Sequence, residues 1–170
     1  MRYVVLVFLL FNIAPASAAE VNVTVEIPRI DASEYHRPYV AVWIENADKS
    51  VAANLAVWYQ QKETSEGAGT KWLADLRQWW RRSGRDQDLP IDGVSGATRP
   101  VGQHQLRFDA TKPPFSSLPP GSYGLVVEAV REVGGREQLR IPFDWPIDGE
   151  QHLDGRGESE LGLVKLDLNP

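Results

Sequence analysis

Residues 91–100 read Ile-Asp-Gly-Val-Ser-Gly-Ala-Thr-Arg-Pro, a stretch that gathers several chemically useful groups in little space. Asp92 supplies a carboxylate, Ser95 and Thr98 supply hydroxyls, and Gly93, Gly96 and Ala97 keep the backbone slim. Small neighbours allow close approach to the threonine, and glycine admits dihedrals that other residues avoid. Two readings compete. The stretch is either a tight Asp-Gly/Ser-Gly turn with a capping threonine, or an attachment site that presents the Thr98 hydroxyl.

Other reactive side chains are less suggestive. Ser95 lacks the Gly-x-Ser-x-Gly elbow of an α/β hydrolase, so acyl transfer is not expected. His36, His104 and His152 are widely spaced and have no ligand-like neighbours, so no metal site is expected. The chain has six tryptophans. Trp43, Trp58 and Trp145 fall in strand-like sequence and are expected in the core. Trp72, Trp79 and Trp80 fall in a helical segment, where they either dock that helix or stack on a planar ligand. With no catalytic set visible, a carrier or binding module is expected rather than an enzyme.

At 170 residues the chain suits one domain with a real core. A net charge of −5 argues against nucleic acid as a partner, and the Arg81-Arg82 pair is answered by Asp86 and Asp88. Met1-Arg2 followed by apolar residues 4–13 and then Ala16-Ser17-Ala18 reads as a Sec signal peptide over residues 1–19. An apolar run of that length cannot cross a hydrocarbon core roughly 30 Å thick, so no anchor is expected after cleavage. With no cysteine there is no lipid attachment, disulfide or thiolate metal site. Export without cysteine suits a periplasmic protein whose core alone stabilises it.

Residues 20–170 are expected to form a single domain. Val21, Val23, Val25 and Ile27 alternate with polar residues, as in a strand with one buried face. Residues 39–44 and 55–59 are apolar on both faces, as in central strands. Over residues 70–83, Trp72, Leu73, Leu76, Trp79 and Trp80 suggest one helix, with Thr70 as N-cap and Gly84 closing it. Residues 103–108 read as a strand. Residues 122–133 and 136–145 read as a hairpin, with Gly134-Gly135 taking positive φ. Pro142 puts the second arm at a sheet edge. Residues 148–160 read as a polar loop and 161–168 as the last strand. The sum is a mainly all-β, antiparallel β-sandwich with one inserted α-helix. Its Pro120-Gly121-Ser122-Tyr123-Gly124-Leu125-Val126-Val127 stretch resembles the tyrosine-bearing strand of immunoglobulin and fibronectin type III-like domains.

Asp92-Gly93-Val94-Ser95-Gly96-Ala97-Thr98 also resembles the recognition sequence of FAD:protein FMN transferases: aspartate, two variable residues, Ser or Thr, Gly, Ala, then the acceptor. That resemblance implies that Thr98 takes FMN from FAD as a phosphoester while AMP leaves, with Asp92, Ser95, Gly96 and Ala97 as recognition residues. Phosphoryl transfer needs a hydroxyl held in line with phosphorus, so the peptide must enter another enzyme's cleft. Flavin carriers often place Ser or Thr two residues after the acceptor, whereas Arg99-Pro100 follows here.

Most of the chain after residue 20 further resembles a family of predicted periplasmic proteins of unknown function. The matching residues include Val42-Trp43-Ile44-Glu45-Asn46, the run from Trp72 through Trp80, residues 92–100 with their Arg-Pro ending, and Gly121-Ser122-Tyr123. Members of that family accompany membrane PepSY-type reductases and the transferase. The resemblance implies an exported carrier with FMN on Thr98, exchanging electrons with such a reductase. The alternative is a non-redox binding module in which the Trp-rich helix makes contacts and residues 92–98 only turn the chain. A weaker third reading is an accessory protein for metal or haem.

Overall fold

A computed structural model describes residues 19–63 and 67–170, so the expected signal peptide, Ala19 apart, lies outside the described residues. The alternating N-terminal segment forms β1 (Glu20–Ile27), with Val21, Val23, Val25 and Ile27 buried. Next come β2 (Tyr39–Glu45), β3 (Val51–Tyr59), a helical segment, β4 (Ser95–Ala97) and β5 (Gly102–Asp109). The chain closes with β6 (Gly121–Val130), β7 (Arg136–Trp145), β8 (Gln151–Arg156) and β9 (Leu163–Asn169). A four-stranded sheet runs β5-β1-β9-β8, and a five-stranded sheet runs β4-β3-β2-β6-β7. Val23, Val25, Leu166 and Leu168 of the first sheet meet Val42, Ile44, Leu125 and Val127 of the second in one apolar core. The mainly β sandwich is therefore present, and Pro142 does lie on an edge strand. Tyr123 Oη donates to the Pro119 carbonyl at 2.7 Å, anchoring the start of β6.

Several expectations need correction. The sheet is not wholly antiparallel, because β4 runs parallel to β3. Residues 148–160 are not all loop. His152 and Asp154 point out while Leu153 packs against the core, so the alternation is that of a strand, β8, hidden by its polar outer face. In the β6–β7 hairpin the residue with positive φ is Val133 (φ 53°), not either glycine. Gly134 is there for space: a Cβ would lie 2.6 Å from Cζ of Arg131.

The single helix over residues 70–83 is likewise corrected. Gly69–Asp75 is a 3₁₀ helix, Arg77–Arg82 is a one-and-a-half-turn α1, and Gly84 opens another 3₁₀ turn rather than closing α1. Thr70 caps nothing. The buried side chains are Leu73, Leu76 and Trp79, a strict three-residue repeat. Three residues per turn is the 3₁₀ period, so this stripe stays in register with the sheet while Trp72 turns to solvent. The segment covers the outer face of the five-stranded sheet, where Ala41, Trp43, Val57, Tyr59 and Val126 form a second apolar cluster with it. This third layer explains why β2 and β3 are apolar on both faces.

Two buried glutamates on that outer face hold the segment. Glu128 on β6 is 0% exposed and accepts the N–H groups of Gln78 (3.1 Å) and Trp79 (2.9 Å), together with Arg136 Nη1 at 3.0 Å. It thus satisfies N–H groups at the start of α1 that no local side chain caps. Glu45 on β2 accepts Arg82 and, at 3.0 Å, Arg140. Trp79 Nε1 donates to Asn54 Oδ1, and Asn54 Nδ2 donates to Ser83 Oγ, both at 2.9 Å.

A third glutamate joins the sheets. Glu137 on β7 accepts the N–H groups of Glu158, Ser159, Glu160 and Leu161 in the β8–β9 loop. Burial pushes its pKa up, but the four N–H donors outweigh that and hold it below the usual glutamate range. Buried Arg131 reinforces the same crossing by pairing with Glu160 at 3.0 Å.

Removing the Glu128 carboxylate orphans two N–H groups and an arginine, so Glu128→Ala should cost about 3 kcal/mol in urea unfolding. A pKa depressed in the fold adds stability above the unfolded value and loses it as pH falls through the folded value. The urea midpoint should therefore drop as pH falls below about 4.3, and Glu137→Gln should flatten that drop.

Candidate functional site

Residues 91–98 form a turn that feeds β4. Val94 and Ser95 donate their N–H groups to the Ile91 carbonyl at 3.2 and 2.9 Å, and Ser95 Oγ accepts the Ile91 N–H at 2.8 Å. Val57 N–H donates to the Val94 carbonyl at 2.9 Å, which begins the parallel pairing of Ser95, Gly96 and Ala97 with Val57, Trp58 and Tyr59. The stretch expected as a presented loop is therefore an edge strand preceded by a turn. Gly93 takes positive φ (68°) at the tip of that turn. At Gly96 a Cβ would sit 3.2 Å from Cδ1 of Trp58, so the strand lies close on the indole.

The five motif residues have different surroundings. Ser95 does structural work. Gly96 is shaped by Trp58. Asp92 and Ala97 are exposed, and Asp92 makes no hydrogen bond or ion pair among the described residues. Thr98, half-buried, follows β4 directly, and its hydroxyl has no partner among the described residues, so it is not a cap. Beyond it the chain is pinned: the Arg99 guanidinium lies 5.3 Å from the Trp58 ring centroid, and His104 Nε2 donates to the Pro100 carbonyl at 2.7 Å.

Thr98 opens onto a cleft of about 750 Å³ at the end of the five-stranded sheet. Tyr39 at the start of β2, Gln60 after β3, Trp72, Asp75 and Arg77 of the helical segment, and the β6–β7 turn form its walls. The size falls within the ~300–1,000 Å³ of pockets that take small organic ligands. Trp79 and Trp80, read from the sequence as stacking candidates, do not line it. Trp79 is fully buried against Trp80 and Asn54, so its indole presents no face, and Trp80 packs on the outer apolar cluster.

The aromatics that share the cleft with Thr98 are instead Trp72, Tyr35 and Tyr39. The sequence offers Trp72, with Trp79 and Trp80, either as part of the helical stripe or as a stacking residue, and does not single out Tyr35 or Tyr39. The only available signal was the offset of Trp72 from the three-residue repeat. Tyr39 Oη donates to the Gly69 carbonyl at 3.3 Å, and burial raises its pKa above the usual phenol value. The three histidines are separate: His36 lies beside Glu34 and Glu132, His104 against Trp58, and His152 against Asp167. Among the described residues no group of three or more histidines and carboxylates could hold a metal.

These surroundings separate the structural from the available residues. Ser95→Ala should destabilise the protein by ~1 kcal/mol, because the Ile91 N–H loses its partner. Asp92→Ala should change unfolding free energy by no more than about 0.5 kcal/mol. Urea titrations of both variants give the comparison.

Among curated proteins and among solved structures, no match is found. The model of a family described as predicted periplasmic protein, domain of unknown function 2271, matches residues 20–163, from the first residue of β1 to the first of β9. That description agrees with the export expected from the N-terminal sequence, and the chain belongs to this family of periplasmic proteins.

Proposed function

We propose that this periplasmic protein is a flavin carrier, with FMN esterified to Thr98, that exchanges electrons with a membrane PepSY-type reductase. The supporting observation is the placement of Thr98: its unpartnered hydroxyl opens on a cleft walled by aromatic side chains and by charged ones of both signs, arginines among them. The residues suit the group. Hydroxyl, indole and phenol faces, and arginines match a phosphate, a planar ring and a negative charge.

In the loading step, Thr98 Oγ1 forms a bond to the FMN phosphorus of FAD. The pyrophosphate P–O bond breaks, AMP leaves with the electron pair, and the hydroxyl proton passes to the FAD:protein FMN transferase. Exposed Asp92 makes no bond within the fold and is free for that enzyme to read, while Ala97 is exposed but pairs through its backbone with Tyr59. The short edge strand β4, with three paired residues, can detach from β3 at small cost to the core. Bound FMN supplies the redox chemistry, and the chain's own residues orient it, limit its contact with water and present it to partners.

The alternative, a non-redox module that binds a ligand or partner while residues 92–98 only turn the chain, draws on the structural role of Ser95. Co-expression of the exported protein with an active FMN transferase decides between them. The expected result is a yellow protein heavier by one flavin nucleotide. Thr98→Ser keeps the adduct, Thr98→Ala loses it, and Asp92→Ala lowers its yield without unfolding the domain. A colourless, unmodified wild-type chain under those conditions overturns the carrier reading.

A further inference from the structure

Four large apolar side chains are exposed among the described residues, namely Tyr35, Trp72, Val101 and Val133. Three of them, Tyr35, Trp72 and Val133, line the same cleft as Thr98. Single exposed apolar residues are ordinary, but a cluster around one concavity marks a place where something binds. Trp72 is 46% exposed and Val133 is 78% exposed, so both stand at the lip. Lys71 Nζ lies 4.7 Å from the Trp72 ring centroid, which leaves one indole face for a planar ligand. Tyr35 is held in a similar way, with Arg131 Cζ 5.9 Å from its ring centroid.

The same walls carry mixed charge, with Arg37, Arg77, Arg131 and Arg136 alongside Asp75 and Glu132. Arg37 and Arg77 line the cleft and make no ion pair among the described residues. Arg131 lines it too, and its Nη1 is buried without a hydrogen-bond partner, although Nε and Nη2 are taken by Glu160. On a chain of net charge −5, spare arginines beside exposed rings describe a site for a flat, anionic molecule.

We propose that the cleft is the resting site of the flavin carried by Thr98, with the isoalloxazine ring stacked on Trp72 beside Tyr35 and the phosphodiester neutralised by Arg37 and Arg77. This rests on attachment at Thr98, and among the three tryptophans of the helical segment it gives the stacking role to Trp72 and not to Trp79 or Trp80. A tethered ring meets its site intramolecularly, at roughly millimolar effective concentration, so a shallow site is enough to hold it. Docking covers one flavin face, and the open cleft lets the ring swing out to a partner. Arg77 at the start of α1 and Val133 at the hairpin tip then set how firmly the ring is held.

The test uses flavinylated full-length chain and reads flavin fluorescence, which stacking on indole quenches by electron donation to the excited ring. The adduct on wild type should be dim. Trp72→Ala should raise its fluorescence several-fold with the adduct mass unchanged, and Trp72→Phe should restore most of the contact but less of the quenching. Arg77→Gln should weaken the quenching at low salt and make it less sensitive to added salt. An adduct whose fluorescence matches free FMN, or is unmoved by Trp72→Ala, overturns the proposal while leaving Thr98 attachment intact.

If no adduct forms, the attachment reading fails by itself, and the cleft is judged by titrating free FMN to millimolar concentration into the unmodified protein. Quenching that Trp72→Ala weakens by about tenfold in Kd supports the site. Titration without Trp72-dependent quenching overturns it. Trp72 is exposed and packs in neither apolar cluster, so its replacement should leave the fold unaffected.

Discussion

The carboxylate of Glu128 is the contact on which the layered arrangement depends. It lies at 0% exposure on the outer face of β6, among apolar side chains that would otherwise exclude it. A charge there is tolerable only because three donors surround it, two of them backbone N–H groups at the start of α1. An α-helix of six residues cannot persist in water by itself. Its direction, its start and its seat on the sheet are therefore set by β6 and not by its own sequence. Glu45 acts in parallel at the other end, through Arg82.

This anchoring decides where the cleft is. With Trp79 driven into the outer cluster and the three-residue repeat continued back through Leu76 and Leu73, Trp72 must face away from the sheet. Toward the sheet's end Tyr39, Gln60 and the β6–β7 turn line the cleft that also holds Thr98. The Arg131–Glu160 pair and the N–H donors gathered by Glu137 fix that turn and the opposite loop against each other. The site is a by-product of how the third layer is held.

Much of the sandwich was legible in the sequence because burial writes itself as period two. β1 and β7 alternate cleanly, and β2 and β3 are apolar on both faces because a layer covers each. β8 was not legible: of its six residues only Leu153 is a large apolar side chain, so its inward face is mostly small or polar. The helix was legible as an apolar stripe, but spacing alone did not separate a period of three from 3.6 over so short a run. The hairpin was placed correctly, yet its strained residue is Val133, held by contacts with the distant β8–β9 loop through Gly135 and Glu160.

At the candidate site the sequence by itself named Thr98 and its small neighbours, since hydroxyl, carboxylate and glycine are chemical identities that no fold changes. It also determined the exported, cysteine-free, mainly β character of the chain, which follows from the N-terminal residues, composition and local alternation. Only the tertiary structure decided which tryptophan of the helical segment shares a cleft with that threonine. Trp72 and Trp79 are both on one short helical segment, and which is buried depends on the pitch imposed by buried glutamates on other strands. Pitch over two turns is a small difference in backbone energy, so long-range charge and packing override local preference there.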